Sequence, residues 1–190
     1  MNTPKKIVII GGSAAGPKAA ARARRLDENA EITIIQKSKY LSMASCGYPY
    51  YVGGVFNDRS QLISTPAGVI RDPNYFNNAK AIKVFNETEA LHIDRNNRIV
   101  RCKSYKDNSE FELKYDKLIL ATGATPRIPD LPGKNLEGIT TLQSMEDADF
   151  LRKIRDEKRI RKAVVIGGGL IGIETCEALQ LAGIQITIIE

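Results

Sequence analysis

At 190 residues, 43% of them hydrophobic and 26% charged, the chain has the composition of an ordinary soluble globular protein with room for a proper core. No apolar run approaches a membrane span, and glycine interrupts the first strand too soon for a signal peptide, so a cytoplasmic location is expected. The net charge of +6 is scattered without an aromatic-basic module, which favours phosphorylated ligands over nucleic acid; three cysteines, far apart and odd in number, make no disulfide framework.

The chain opens on an apolar run, Ile7-Val8-Ile9-Ile10, that reads as a short buried strand. Gly11-Gly12-Ser13-Ala14-Ala15-Gly16 follows, and an alanine-rich helix runs from about Ala14 to Leu26. Strand, glycine turn and helix are the setting of a phosphate loop. The turn lets the backbone approach a pyrophosphate, and the free N–H groups of the helix start receive its charge. Ser13 stands where the pattern G-x-G-x-x-G has its central glycine. Along the helix Ala19, Ala23 and Leu26 make a slim apolar face, while Lys18, Arg22 and Arg25 share another. On periodicity alone that basic stripe is a solvated surface; it is also a cluster able to bind a phosphorylated substrate.

Glu31–Ile35 reads as a second buried strand, completing a β-α-β unit. Where such a unit places an acid for the ribose hydroxyls stands Gln36, whose amide bonds a hydroxyl less strongly than a carboxylate does. Further on, Ser42-Met43-Ala44-Ser45-Cys46-Gly47-Tyr48-Pro49 sets a cysteine before a proline suited to the first turn of a short helix. A helix start favours the nucleophilic thiolate, and the alternative is a small buried apolar residue. Cys102 and Cys176 lie in a strand-like and a helical run with nothing to activate them, and read as structural.

Pro66–Lys80 reads as helical with a break at Asp72-Pro73. Strand-like runs follow at Ile82–Phe85, Ala90–Ile93, Ile99–Ser104 and Phe111–Leu113, and turn signals separate the last three as in a meander. His92, the only histidine, falls there and reads as structural. Lys117–Leu120 is another buried strand, closed by Ala121-Thr122-Gly123, where glycine permits close approach of a ligand or backbone. Pro126, Pro129, Pro132 and Gly133 mark a crossover, and Ser144 is placed to N-cap a helix to Glu157 with Asp147 in its first turn. The opening pattern then returns. Strand Ala163–Ile166, the complete loop Gly167-Gly168-Gly169-Leu170-Ile171-Gly172, a helix to Ala182 and strand Gln185–Ile189 lead to Glu190 at the ribose position. Two such units predict two dinucleotides. A lone second β-α-β unit leaves a sheet edge and a helix face unpartnered, so the chain is expected to belong to a longer enzyme.

Over essentially its whole length the chain resembles the FAD-dependent pyridine nucleotide-disulfide oxidoreductases. Ser42-x-x-x-Cys46 followed by Gly47-Tyr48-Pro49-Tyr50-Tyr51 resembles the single-cysteine branch, which contains coenzyme A-disulfide reductases, NADH oxidases and NADH peroxidases. The resemblance implies an α/β architecture: a Rossmann-like FAD-binding domain over residues 1–124 with a small inserted β-meander, and a linker over 125–143. Residues 144–190 would form the first β-α-β unit of a second Rossmann-like domain, for NAD(P). It assigns FAD to Gly11, Gly12, Ser13, Ala14, Ala15, Gly16, Gln36, Lys37, Ser42, Thr88, Ala121, Thr122 and Gly123. NADH, rather than NADPH, falls to Gly167, Gly169, Gly172 and Glu190, and no metal is expected.

By the same resemblance electrons would run from nicotinamide through flavin to an oxidised form of Cys46. That form is a mixed disulfide with coenzyme A in the reductases and a sulfenic acid in the oxidases and peroxidases. The peroxidases and several oxidases carry a histidine in the first glycine loop, where this chain has Ala14. The reductases hold coenzyme A phosphates through the first helix, at positions matched here by Lys18, Arg22 and Arg25. The expectation is a reductase of coenzyme A disulfide, or of a related persulfide or polysulfide, homodimeric at full length and meeting neither nucleic acid nor membrane. An NADH oxidase and an inactive flavin-binding piece are the alternatives.

Overall fold

Isoleucine and valine on successive residues leave no polar face, and such runs form strands covered on both sides. In the computed structural model, which describes residues 3–190, β1 (Lys6–Ile10) and β2 (Glu31–Gln36) pair in parallel. β3 (Ile82–Asn86) joins β2 and β7 (Lys117–Leu120) joins β1, giving the order β3-β2-β1-β7, all parallel. Alternation then sorts the side chains. Ile9, Ile32 and Ile34 point to one face, with Ala20 of α1 (Ala15–Leu26) and Phe76 of α3 (Pro73–Lys80). Val8, Ile10 and Ile35 point to the other, with Val100 and Cys102. Those two belong to β5 (Ile99–Ser104), the middle strand of an antiparallel meander with β4 (Thr88–Asp94) and β6 (Glu110–Lys114).

The chain divides into two compact units. This first one takes in the chain up to Ala44 and returns over Ser60–Gly123; the second comprises Ser45–Arg59 and Ala124–Glu190. In the second, β8 (Lys162–Ile166) and β9 (Gln185–Ile189) pair in parallel and α5 (Leu170–Leu181) packs on them. α4 (Met145–Asp156) begins in a complete capping box: Ser144 Oγ accepts from Asp147 N, and the Asp147 carboxylate accepts from Ser144 N, each at 3.1 Å. The short α2 (Tyr48–Gly53) lies against both α4 and α5. No helix among the described residues is long and apolar enough to cross a membrane.

Three elements differ from their sequence expectations. The buried face of α1 is Gly16, Pro17 and Ala20, with Ala23 packed beside them, while Leu26 is exposed. The glycine loop sets this rotation: it brings Gly16 inward against Gly11, and positions four and seven residues later follow it. Only Pro73–Lys80 of the stretch from Pro66 is helical. Gly68, at φ +79°, turns the chain so that Ser64 bridges Ile70, and Asp72 then caps the helix by accepting from Tyr75 N at 2.7 Å. The break expected at Pro73 is therefore the helix start. Finally, β7 and β8 are less buried than their apolar sequences suggest, with Leu120, Val164 and Ile166 exposed. Within its own unit β7 is an edge strand, and β8 has a single strand neighbour.

Candidate functional site

The two glycine loops share the geometry of their first and last glycines. Gly11 and Gly167 open them at φ +109° and +110°, in the region that L side chains rarely enter. A Cβ on Gly16 would stand 1.8 Å from Gly11 O, and one on Gly172 would stand 2.0 Å from Gly167 O. Only hydrogen fits there, because each helix start folds back against the first carbonyl of its own loop. The central position differs. A Cβ on Gly169 meets nothing within 4 Å, so Ser13 at the equivalent place of the first loop needs no special backbone.

Both loops also share an acceptor from the end of the following strand. Gly12 N donates to Gln36 Oε1 at 2.7 Å, and Gly168 N donates to the Glu190 carboxylate. Gln36 Nε2 donates in turn to Ser38 Oγ at 2.6 Å and Tyr40 O at 3.2 Å. A carboxylate could not make these last two bonds, which is why an amide suits this position. Nothing in the residue pattern marks Ser38 and Tyr40 as its partners. Around the first loop, Ser42 (φ +50°) donates its N–H to Gly12 O at 2.8 Å. Ala121 lies so close to Gly11 that a Cβ on the glycine would stand 2.0 Å from Ala121 O. Gly123 turns at φ +71° with open space beside it. Gly11–Gly16, Gln36, Ser42 and Ala121–Gly123 thus gather at the carboxyl ends of β1, β2 and β7, where open parallel sheets bind ligands.

Two further predicted residues are engaged elsewhere. Lys37 Nζ pairs with Glu89 at 2.8 Å, which raises the lysine pKa and lowers that of the carboxylate; the Tyr105 hydroxyl donates to the same Glu89. Thr88 is buried at the start of β4, its hydroxyl donating to Asn86 O at 3.1 Å.

On α1 the basic residues separate by role. Arg24, outside the predicted stripe, donates to Glu28 O at 2.6 Å, Lys80 O at 3.2 Å and Ala81 O at 2.7 Å, joining the ends of α1 and α3. Lys18, Arg22 and Arg25 are exposed, and among the described residues no acceptor or carboxylate holds their charged ends. Ala14, at the N-cap, and Ala15 are exposed beside the loop.

Cys46 lies in the second unit, on a 3-10 turn (Ser45–Gly47) that leads into α2, with Pro49 in the first turn of that helix. Its thiol is exposed, whereas Cys102 and Cys176 are buried. Burial pushes the Cys102 thiol up to about 11 and raises that of Cys176. Native protein treated with a chromogenic disulfide at about pH 8 should therefore release one equivalent of dye rapidly, from Cys46, and three after unfolding. Rapid release of two or more from the native state would contradict these burials. Among the described residues no group of three or more His, Cys, Asp or Glu is placed to hold a metal ion.

The pyridine nucleotide-disulphide oxidoreductase family matches residues 5–190. A solved NAD-dependent persulfide reductase from A. fulgidus is 44% identical, with a TM-score of 0.92 over 96% of this chain and 33% of that one. The coenzyme A disulfide reductase of Staphylococcus haemolyticus is 35% identical over 97% of this chain. The NADH oxidase of Methanocaldococcus jannaschii is 32% identical over the same share. The chain spans 40% of the length of these two curated relatives.

Proposed function

The chain belongs to the pyridine nucleotide-disulphide oxidoreductase family, and from that premise we propose that it serves an NADH-dependent, FAD-containing reductase of coenzyme A disulfide or a related persulfide. Residues 1–124 are read as the flavin domain, 125–143 as its linker and 144–190 as the start of the nicotinamide nucleotide domain. Cys46 is the redox thiol.

The two matched loops carry the cofactor assignment. Each has positions where any Cβ would strike backbone, and each leads into a helix whose N-cap makes no side-chain bond: Ala14 before α1 and Gly169 before α5. α3 and α4, by contrast, are closed by Asp72 and Ser144. The uncapped N–H groups of α1 and α5 are thus left for an anion, which suits a pyrophosphate. Gln36 and Glu190, each next to its loop, would take the ribose hydroxyls. When bound, the flavin supplies the two-electron chemistry between nicotinamide and sulfur. The chain's own chemistry is at Cys46, whose exposed thiolate can attack a disulfide, form a mixed disulfide and release one thiolate. Protein that carries no flavin absorbance and cannot be reconstituted with FAD would overturn this reading.

The substrate assignment rests on Lys18 and Arg22, exposed cations without internal partners, with Arg25 farther from the loop. A charge-assisted bond to a phosphate is worth about 1.5–3 kcal/mol, so neutralising one such cation weakens binding roughly ten- to a hundred-fold. In steady-state kinetics, Lys18→Gln/Arg22→Gln should raise KM for coenzyme A disulfide by at least the lower figure and leave oxygen turnover unchanged. Wild-type kinetics in the double variant would make the stripe a solvated helix face. An NADH oxidase, the name that the Methanocaldococcus relative carries, would then become the better reading.

For the nucleotide, Glu190 supports NADH. Its carboxylate sits on the second loop, where it can accept from a 2′-hydroxyl and repels a 2′-phosphate. Glu190→Ala should narrow an NADH preference of roughly tenfold or more, measured as the ratio of kcat/KM for the two nucleotides. Equal efficiencies in the wild type would count against the assignment.

A further inference from the structure

Six residues long, α2 pairs few of its carbonyls within itself; just beyond it Gly54 N–H donates to Tyr51 O at 3.2 Å and Val55 N–H to Tyr50 O at 3.0 Å. α4 adds side-chain donors to this end. Arg152 donates from one terminal nitrogen to Tyr51 O at 2.7 Å and Phe56 O at 2.9 Å, and from the other to Asn57 Oδ1 at 2.5 Å. Arg155 donates to Val52 O at 2.5 Å. The guanidinium of Arg152 also lies over the Tyr51 ring, 4.9 Å from its centre, and the Tyr51 hydroxyl donates to Asp149 at 3.0 Å. Gly54 makes room for this: it ends α2 at φ +80°, and a Cβ there would stand 2.5 Å from the Arg155 guanidinium.

The two arginine side chains are only 14% and 12% exposed. Charges so enclosed are tolerated when their donors are bonded. Beyond Asp156 on their own helix, both direct their bonds to the segment that follows Cys46. Both α2 and α5 end in backbone cap bonds, from Gly54 and Ala182, but among the described residues only the end of α2 also takes arginine donors from a neighbouring helix.

We propose that Arg152 and Arg155 are positioning residues for Cys46: by fastening the far end of α2 to α4 they fix the cysteine turn at its near end, so that the thiol meets a bulky disulfide in one orientation. This rests on the reading of Cys46 as the redox thiol. It concerns a single exchange step, in which Cys46 thiolate attacks one sulfur of coenzyme A disulfide. The Cys46–S–S–coenzyme A bond forms as the original S–S bond breaks, and one coenzyme A thiolate leaves. No net oxidation or reduction occurs.

The experiment measures that step by mass spectrometry in prereduced protein, beside the alkylation of Cys46 by iodoacetamide, which needs no orientation. Arg152→Gln should slow exchange with coenzyme A disulfide at least tenfold while alkylation stays within twofold. Arg155→Lys should keep near wild-type exchange, because an ammonium can still reach the single carbonyl Val52 O. Arg152→Lys should remain slow, because one ammonium cannot replace a fork over three acceptors. If Arg152→Gln does not fold, the two lysine variants decide alone. Exchange at the wild-type rate in Arg152→Gln and Arg152→Lys, or an equal fall in alkylation, overturns the positioning role. A wild-type protein that forms no Cys46–coenzyme A adduct overturns the functional reading itself, independently of the variants.

Discussion

Cys46→Ser is expected to abolish reduction of coenzyme A disulfide, by roughly 10³-fold or more, while bleaching of bound flavin by NADH proceeds at nearly the wild-type rate. The serine hydroxyl cannot form the mixed disulfide, and hydride donation does not involve the sulfur. Neither remaining cysteine can substitute. Cys102 is fully buried, and burial pushes its thiol up to about 11, so at neutral pH it stays the unreactive thiol. Cys176 is buried within α5, and burial raises its thiol as well. Stopped-flow absorbance on anaerobic protein measures the first half of turnover, and release of coenzyme A measures the second. Disulfide reduction within about tenfold of wild type in Cys46→Ser would remove Cys46 from the chemistry.

The second large effect concerns the glycines that admit no Cβ. In Gly16→Ala the new carbon would stand 1.8 Å from Gly11 O, a backbone atom that cannot swing away as a side-chain tip can. Either α1 shifts off the sheet, opening the packing of Ala20 against Ile9 and Ile34, or the loop changes shape. The expected result is a loss of about 3 kcal/mol or more and failure to retain FAD. Gly172→Ala, 2.0 Å from Gly167 O, should do the same to the second unit and spoil nicotinamide nucleotide binding. Gly169→Ala is the matched control, since its Cβ meets open space; its stability should stay within about 0.5 kcal/mol of wild type. Thermal melts with and without FAD, and nucleotide titration by fluorescence, separate the three. Full FAD retention in Gly16→Ala would show that the first loop is not the pyrophosphate cradle.

Glu89 and Lys37 mark where a predicted ligand contact meets competition. Lys37 sits next to Gln36 at the end of β2, yet Glu89 holds it, and the pairing shifts both groups toward their charged forms. Any approach of Lys37 to a ligand must displace that bond. The lysine side chain is 67% exposed, so solvent screens the pair and it adds little to stability.

The sequence by itself determined the two β-α-β units, the position of each glycine loop, the capped start of α4 and the meander between β3 and β7. All of these rest on local chemistry. A φ of +109° at Gly11, a serine accepting from an N–H three residues on, or an unbroken run of isoleucine and valine needs only near neighbours in the chain. Tertiary structure alone decided which residues those elements use. Helical spacing points to Ala19, Ala23 and Leu26 as the apolar face of α1, and the close approach of Gly16 to Gly11 turns Ala20 inward instead. Arg22 and Arg24 are equivalent arginines in sequence; carbonyls at Lys80 and Ala81, brought near by β3 pairing with β2, claim only Arg24. Arg152 and Arg155 carry no mark of their partners in the sequence; the carbonyls of Tyr51, Phe56 and Val52, about a hundred residues earlier in the chain, meet them only in the folded structure. Hydrogen-bond partners so distant in sequence leave no periodic signal, because their meeting depends on the path of the whole chain between them.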